Sequence, residues 1–189
     1  MDALELLKAD HDTVRGLFDQ FKHAKEAHNT TQMQDLQRQI FQELEVHTAI
    51  EEEVFYPEAK AVGEEAEDLV KEGVEEHHVV KVLMSEVSAL QADDETFAPK
   101  MTVLIENVEH HAEEEEDELF PQLREVFGDE RLQAMGAKLQ EAKQRHLSGA
   151  AGSDGGRTKE ELYEQAKKKD VPGRSTMSKE ELADAVDSD

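Results

Sequence analysis

Apolar residues recur three and four positions apart through most of the first 120 residues, a spacing that predicts amphipathic helices. Four long helices are predicted, and a shorter fifth segment follows them. The four helices span residues 2–28, 32–56, 64–90 and 99–120, and the fifth segment spans 129–147. Because no stretch alternates with a period of two, no strand is predicted. Long helices joined by short links indicate an all-α fold, an antiparallel four-helix bundle.

The composition changes at residue 148. Residues 148–156 contain only Ser, Gly, Ala and Asp, which is typical of a flexible linker. Beyond it, Thr158 and Ser178 each begin a capping box, so residues 157–189 are predicted to form a helix, an extended link and a second helix. The predicted organisation is a bundle with its trailing helix over 1–147, a linker over 148–156 and a small C-terminal helical module over 157–189.

The chain is strongly acidic, with 46 Asp and Glu against 21 Lys and Arg and a formal net charge of −25. Nearly all of this excess lies in the predicted bundle, which disfavours nucleic-acid binding there. No apolar run reaches the roughly 20 residues that a membrane span needs, and the N-terminus lacks a signal-peptide core. We therefore expect a cytoplasmic protein with no membrane partner. The absence of Cys excludes disulfides, thiol nucleophiles and Cys-ligated zinc sites.

Each predicted helix places a histidine where its apolar stripe calls for a core residue. These histidines are His11, His47, His77 and His111, and the second and fourth are followed one turn later by Glu51 and Glu115. Residues four apart share a helical face, so each His–Glu pair points inward. Two carboxylates in an aliphatic core are costly unless a cation accompanies them, and no Lys or Arg lies at the same level. A pair of divalent or trivalent metal ions would supply that charge.

An internal repeat supports this constellation. His11 and His77 begin similar segments 66 residues apart, and the second and fourth helices match at an offset of 64. The repeat aligns His77 rather than His78 with His11, and His111 rather than His110 with His47. Periodicity places Glu52 and the run 113–118, apart from Glu115, on solvated faces. Both matching helices reach a proline, Pro57 or Pro121, which we expect to end or kink the helix.

The pattern H…HxxxE…H…HxxxE, over about residues 1–125, resembles the hemerythrin-like (HHE cation-binding) family. The resemblance implies two non-haem iron ions (Fe2+/Fe3+) with an oxo or hydroxo bridge. Glu51 and Glu115 would bridge them, and the four histidines would be terminal ligands. Oxygen-carrying hemerythrins have a fifth histidine, in an HxxxH pair on the third helix. Here Gly73 and Lys81 flank His77, so positions remain open for water, dioxygen, nitric oxide or peroxide.

Tyr56 follows Glu51 by five residues, and its repeat mate is Phe120. Its phenol would bind an open iron position or donate a hydrogen bond to a ligand. The alternative is a half-buried aromatic residue that only closes the bundle.

The sequence predicts a protein that binds dioxygen or a related small oxidant (O2, NO or peroxide) at a His/Glu-ligated di-iron centre. The alternative is a sensor of iron or oxygen that signals through its C-terminal segment. An enzyme acting on peroxide or nitric oxide, and a metal-free structural bundle, also remain open.

Residues 157–189 resemble a SAP or Rho N-terminal-type helix-extension-helix module. Its basic residues are Lys167, Lys168, Lys169, Arg174 and Lys179, but the segment is net acidic, which predicts at most weak nucleic-acid contact. A docking surface for an unidentified protein partner, or a simple tail, fits the segment equally well.

Overall fold

The computed structural model describes residues 1–152, 159–169, 177, 182 and 185–186 and divides the chain into two compact units, Met1–Lys143 and Gln144–Asp189. The described residues are helical and include no strand, so the predicted all-α fold is confirmed. The helices are α1 Ala3–Glu26, α2 Thr30–Ile50, α3 Tyr56–Ala59, α4 Glu64–Ser88, α5 Phe97–Glu114, α6 Phe120–Val126, α7 Asp129–Gly152 and α8 Lys159–Lys168. Within this described part, no helix is long and apolar enough to cross a membrane.

The four long helices α1, α2, α4 and α5 build the bundle, with α1 packed against α2 and α5, and α4 packed against α5. A capping box fixes the start of α1, where the Asp2 carboxylate accepts the Glu5 amide proton at 2.9 Å and the Glu5 carboxylate accepts that of Asp2. At the start of α2, the side-chain oxygen of Asn29 accepts the amide proton of Gln32 at 3.1 Å.

One end of the bundle is a buried core of aliphatic and aromatic side chains. Side chains from all four long helices meet there, among them Phe18, Ile40, Val87, Phe97 and Leu104, which are fully buried. Burial of each such side chain contributes about 1.5–3 kcal/mol relative to exposure. The four predicted ligand histidines lie just beyond this core along their helices, so the core fixes the spacing of the backbones that carry them.

Neither proline ends its helix. Instead, a π-helical turn precedes each one: Glu51–Phe55 joins α2 to α3, and Glu115–Leu119 joins α5 to α6. Pro57 and Pro121 then lie in the first turn of α3 and α6, where a missing N–H costs little. The expected kink is therefore a widened turn that begins at each predicted glutamate ligand.

The trailing helix α7 is longer than predicted. It runs to Gly152, so residues 148–152, which we predicted to begin the flexible linker, are helical. Ala150 and Ala151 explain part of this difference, because alanine has the highest helix propensity. Residues 153–156 lie outside the described residues. Buried side chains, including Leu132 and Leu139, place the first part of α7 in the bundle unit.

The second unit has its own small apolar cluster, formed by Leu162, Ala166, Leu182 and Val186. The ammonium group of Lys169 donates to the carbonyl oxygen of Val186 at 2.7 Å. The predicted capping residues Thr158 and Ser178, and the basic residues Arg174 and Lys179, lie outside the described residues.

Gly136 sets how closely α7 approaches the N-terminus. A Cβ atom at this position would lie 2.8 Å from the carbonyl oxygen of Met1 and from the carbonyl carbon of Asp2. We therefore expect Gly136→Ala to destabilise the bundle by about 1–3 kcal/mol through overpacking, measured as a lower urea midpoint. Gly16→Ala is the matched control: a Cβ there meets nothing within 4 Å. It should stabilise the protein by up to about 1 kcal/mol, because alanine favours the helix. Equal stability of the two variants would contradict the close contact.

Candidate metal centre

The two π-helical turns bring the predicted glutamates into the bundle. In each turn the glutamate carbonyl accepts a hydrogen bond from the amide five residues on, Tyr56 for Glu51 and Phe120 for Glu115. Such turns are frequent at functional sites because they reorient side chains within a continuous helix. The sequence analysis did not predict them. The available signal was the repeated proline, six residues after each glutamate in both halves of the chain.

The structure brings all six predicted ligand residues together, and every one of them is buried. Their metal-binding atoms form two groups, each with all its atoms within 4.8 Å of one another. The first group contains His11, His47, Glu51 and Glu115, and the second contains Glu51, His77 and His111. Glu51 therefore belongs to both groups, as a bridging carboxylate would. Glu115 also faces the second group, with its Oε1 3.9 Å from the Nε2 of His111.

The histidines face one another in two close pairs. The Nε2 atoms of His11 and His47 lie 3.1 Å apart, and those of His77 and His111 lie 3.2 Å apart. In three of the four rings, Nδ1 lies within 2.9 Å of a carboxylate oxygen. A carboxylate partner favours the proton on Nδ1 and leaves a lone pair on Nε2. Lone pairs converging on one point at this distance are what a metal cation requires.

The carboxylates of Glu51 and Glu115 give the second sign of a cation site. All four of their oxygens are buried, and none has a hydrogen bond of suitable geometry, although the Nε2 atoms of His47 and His77 lie 3.1 and 3.3 Å from the oxygens of Glu51. An unpartnered buried carboxylate costs several kcal/mol, more than a folded protein tolerates without a compensating group. The donor set of four imidazoles and two carboxylates therefore fits a metal pair.

Without a metal, protons take over part of this role. Burial, together with repulsion from the Glu51 carboxylate, raises the pKa of Glu115 to about 8. Burial opposes a charge on His47, but attraction to Glu51 and Asp10 outweighs it and raises its pKa to about 10. Burial and the neighbouring His47 charge lower the pKa of His11 to about 4. At neutral pH the centre therefore holds protons on Glu115 and His47.

An outer carboxylate faces the Nδ1 atom of each of the four histidines. The pairs are His11 with Glu116 at 2.9 Å, His77 with Glu52 at 2.9 Å, His111 with Glu76 at 2.7 Å and His47 with Asp10 at 3.8 Å. Such carboxylate–histidine pairs orient the ring and raise its basicity toward a metal. The expectation that Glu116 faces solvent was therefore wrong, since its side chain is only 18% exposed. Glu52 is exposed as expected, at 38%, but its Oε1 still reaches the ring of His77.

The repeat contained a signal for these outer residues. An acidic residue directly precedes His11 and His77, and another directly follows Glu51 and Glu115. Helical periodicity treats such neighbours as flank positions, since a residue adjacent in sequence is rotated by about 100°. A long carboxylate side chain on the flank nevertheless reaches the ring of the adjacent helix.

Basic side chains hold three of the four outer carboxylates in place. Arg15 and Lys8 bind Glu116 at 2.7 and 2.9 Å, Lys81 binds Glu52 at 2.6 Å, and Lys143 of α7 binds Asp10 at 2.5 Å. Burial opposes ionisation of Glu116, but Lys8 and Arg15 outweigh it and lower its pKa to about 2. These outer pairs keep the carboxylates ionised, so Glu116 and Glu52 can accept the Nδ1 protons of His11 and His77.

Tyr56 is fully buried rather than half-buried, and its hydroxyl points into the cluster. The phenol oxygen lies 3.3 Å from the Nε2 of His77 and 3.4 Å from that of His111. Gly73 makes room for it, because a Cβ at that position would lie 2.9 Å from the phenol oxygen. In the other half Phe120 stacks on His11, with ring centroids 6.1 Å apart and planes within 7°. Only one half of the centre therefore has a phenol.

A third, more exposed group lies beside His111. It consists of Glu76, His110 and Glu114, whose metal-binding atoms are also within 4.8 Å of one another. Burial and repulsion from Glu76, Glu72 and Glu118 raise the pKa of Glu114 despite the nearby His110.

Comparisons with known proteins match this chain to a family profile and to two curated relatives. The sequence profile of the hemerythrin HHE cation binding domain matches residues 2–123. A hemerythrin-like protein of Schizosaccharomyces pombe is 27% identical over 135 residues, which is 71% of this chain and 65% of that protein. A DNA nickase of Nostoc sp. is 25% identical over 154 residues, which is 80% of this chain and 42% of that protein. The chain therefore spans less than two thirds of each of these curated relatives.

A similar fold is found in a crystal structure. It is that of a hemerythrin HHE cation binding domain-containing protein from Mycobacterium kansasii, with a TM-score of 0.68 and 22% identity. The match covers 98% of this chain and 99% of that chain. At this identity, the likeness shows a common helical fold.

The protonation of the metal-free centre predicts a pH dependence of metal binding. Glu115 and His47 carry protons at pH 7, because their pKa values are about 8 and about 10, and each must lose its proton to bind a cation. Zn2+ binding should therefore release protons, and its affinity should rise as the pH increases from 6 to 8. Calorimetry in two buffers of different ionisation enthalpy measures the release. Glu113→Gln, at an exposed position, should behave as the wild type, and pH-independent affinity would contradict the assignment.

Proposed function

This chain belongs to the hemerythrin HHE cation-binding family, and we propose that its bundle holds two non-haem irons that bind dioxygen or a related small oxidant. One observation carries the proposal. Two groups of buried imidazole nitrogens share the Glu51 carboxylate, and no oxygen of Glu51 or Glu115 has a hydrogen bond of suitable geometry. Imidazole and carboxylate together suit iron, although manganese and zinc use the same donors.

The residues divide into two half-sites. His11 and His47 would hold one iron, and His77 and His111 would hold the other, with Glu51 and Glu115 between them. The family resemblance implies that an oxo or hydroxo bridge would complete this arrangement. When bound, the irons supply one-electron chemistry between Fe2+ and Fe3+. The protein fixes the ligand positions, and the outer carboxylates hold the proton on the Nδ1 atoms.

Tyr56 gives the second half-site a further oxygen donor. We propose that its phenol occupies an open position on the iron held by His77 and His111, or donates a hydrogen bond to the oxidant there. Burial, with the nearby Glu115 and Glu51 charges, raises the pKa of Tyr56 well above its usual value. The phenol therefore keeps its proton in the metal-free protein. Gly73 stands at one of the two positions where an HxxxH pair with His77 would place a fifth histidine, and the phenol oxygen lies against it.

These features favour redox chemistry over reversible oxygen carriage. The predicted ligand set has four histidines, one fewer than the oxygen-carrying hemerythrins that the sequence resembles. Open coordination positions admit peroxide or nitric oxide as well as dioxygen. An enzymatic activity on either substrate would be a further property of the same centre.

A sensor of iron or oxygen is the second candidate, favoured by the position of Lys143. This residue binds Asp10, the outer partner of His47, and lies on α7, which continues to Gly152. The module over 157–189 resembles SAP or Rho N-terminal domains, and its Lys167, Lys168 and Lys169 would be its means of weak nucleic-acid contact. Partner binding that requires both the metal and residues 148–189 would favour this candidate.

Removal of either bridging carboxylate tests the centre itself. Glu51→Ala and Glu115→Ala should each lose most of the metal, because every neighbouring ligand depends on the shared charge. Elemental analysis of the wild type should give about two irons per chain, and its absorption spectrum should respond to dioxygen, nitric oxide or peroxide. Glu113→Ala, at an exposed position, is the control and should keep its iron. If both centre variants keep full iron and the wild-type spectrum, the proposal fails. If the wild type instead contains stoichiometric zinc or manganese, the assignment of the metal as iron is overturned.

Tyr56→Phe tests the role of the phenol. The variant keeps the buried ring but removes the oxygen near His77 and His111, so the iron content should stay unchanged. If the phenol binds iron, a visible charge-transfer band should disappear; if it donates to the oxidant, the dissociation rate of nitric oxide should rise. Tyr163→Phe changes the other tyrosine of the chain and is the matched control. A wild-type spectrum together with a wild-type dissociation rate would show that Tyr56 only fills space.

A further inference from the structure

Among the outer carboxylates, Glu76 is the exception. Asp10, Glu52 and Glu116 each form an ion pair with a Lys or Arg, whereas in the described part of the chain no Lys or Arg pairs with Glu76. Its Oε2 atom accepts the proton of His111 Nδ1 at 2.7 Å. Its Oε1 atom faces outward, 4.0 Å from the Nε2 of His110. One carboxylate therefore contacts both the buried centre and the surface.

His110 and Glu114 complete a small donor group around that outward oxygen. The Nε2 of His110 lies 3.4 Å from the Oε1 of Glu114. The side chains of Glu76, Glu114 and His110 are 18%, 29% and 63% exposed, so the group opens progressively to solvent. Glu72 and Glu118, one turn away from Glu76 and Glu114, add negative charge. One imidazole and two carboxylates at these separations form a donor set for a divalent cation.

A small cleft beside α4 and α5 is shared by this group and the buried centre. Its lining includes Glu76 and Glu114 of the surface group and His111 and Glu115 of the centre, but not His110. Glu115 is 4% exposed, and neither of its oxygens has a hydrogen-bond partner, so a buried carboxylate forms part of the cleft wall. Carboxylates of the surface group and of the centre therefore line the same cleft.

The other approach to the centre is less acidic. A second cleft reaches His11 and His47, and its remaining lining is mostly apolar, with Arg15 and Glu109 as its two charged residues. Apolar side chains offer no ligand to a cation, and the charges of Arg15 and Glu109 oppose each other. The two clefts thus differ in the number of carboxylates that line them.

We propose that Glu76, His110 and Glu114 form a surface site that captures a divalent cation and passes it along the cleft to Glu115. The site serves uptake of the metal into the buried centre, and to that extent it rests on the proposed function. A lysine beside Glu76, as in the other three outer pairs, would compete with the incoming ion. Passage of the cation from this site to Glu115 therefore explains why no lysine pairs with Glu76 in the described part of the chain.

The rate of metal loading tests the uptake role. The double variant His110→Ala, Glu114→Gln removes two of the three surface donors without touching the six proposed ligands of the centre. Anaerobic Fe2+ loading of the metal-free protein should slow by about tenfold or more, because focused negative charge raises cation association rates by that order. The final iron content and spectrum should equal those of the wild type. His78→Ala, Glu113→Gln makes the same two changes at exposed positions of α4 and α5 and should load at the wild-type rate.

A direct binding measurement separates the possible failures. Iron-loaded wild-type protein should bind one further Mn2+ ion, detected by electron paramagnetic resonance, and the His110→Ala, Glu114→Gln variant should not. Unchanged loading rates would overturn the uptake role while leaving the proposed function intact. Reduced final iron content in the variant would also overturn the uptake role, because it would show that His110 or Glu114 belongs to the buried centre. Failure of the wild type to bind iron at all would instead overturn the proposed function.

Discussion

Two carboxylates buried among four imidazoles, with no fixed positive charge at their level, impose the constraint on which the structure depends. The core around Phe18, Phe97 and Leu104 is fully buried, and the two glutamates are buried as well. A group inside the bundle must therefore offset the free-energy cost of burying Glu51 and Glu115. In the metal-free state, protons on His47 and Glu115 offset part of this cost. Metal ions would meet it fully, so this centre couples the stability of the fold to cation binding.

The outer carboxylates make this coupling a property of the whole bundle. Each spans two helical segments: Glu116 reaches from the second π-helical turn to α1, Asp10 from α1 to α2, Glu52 from the first π-helical turn to α4, and Glu76 from α4 to α5. The four contacts form a closed ring around the centre. Each histidine is therefore linked through a carboxylate to a second helical segment.

The sequence predicted the bundle and the six residues at its centre, because a histidine in an apolar stripe contradicts helical periodicity and the contradiction recurs in both halves. The π-helical turns escaped prediction, since each is only five residues long. Glu52 and Glu116 were assigned to solvent because periodicity describes the direction of the Cβ atom and not the reach of a long side chain. The burial of Tyr56 depended on the space at Gly73, a contact between segments that spacing along the chain does not contain.

The surroundings of the two half-sites differ where the internal repeat is broken. Around His11 the surroundings are mostly apolar: Phe120 stacks on the ring, and Leu7, the repeat mate of Gly73, is fully buried. Around His111 the phenol of Tyr56 replaces an apolar ring, Gly73 replaces a side chain, and Glu76 lacks the lysine that Asp10 has. Each difference makes the second half more polar or more open. If the proposed metal pair forms, this asymmetry favours the half-site of His77 and His111 for the exchange of ions and small molecules.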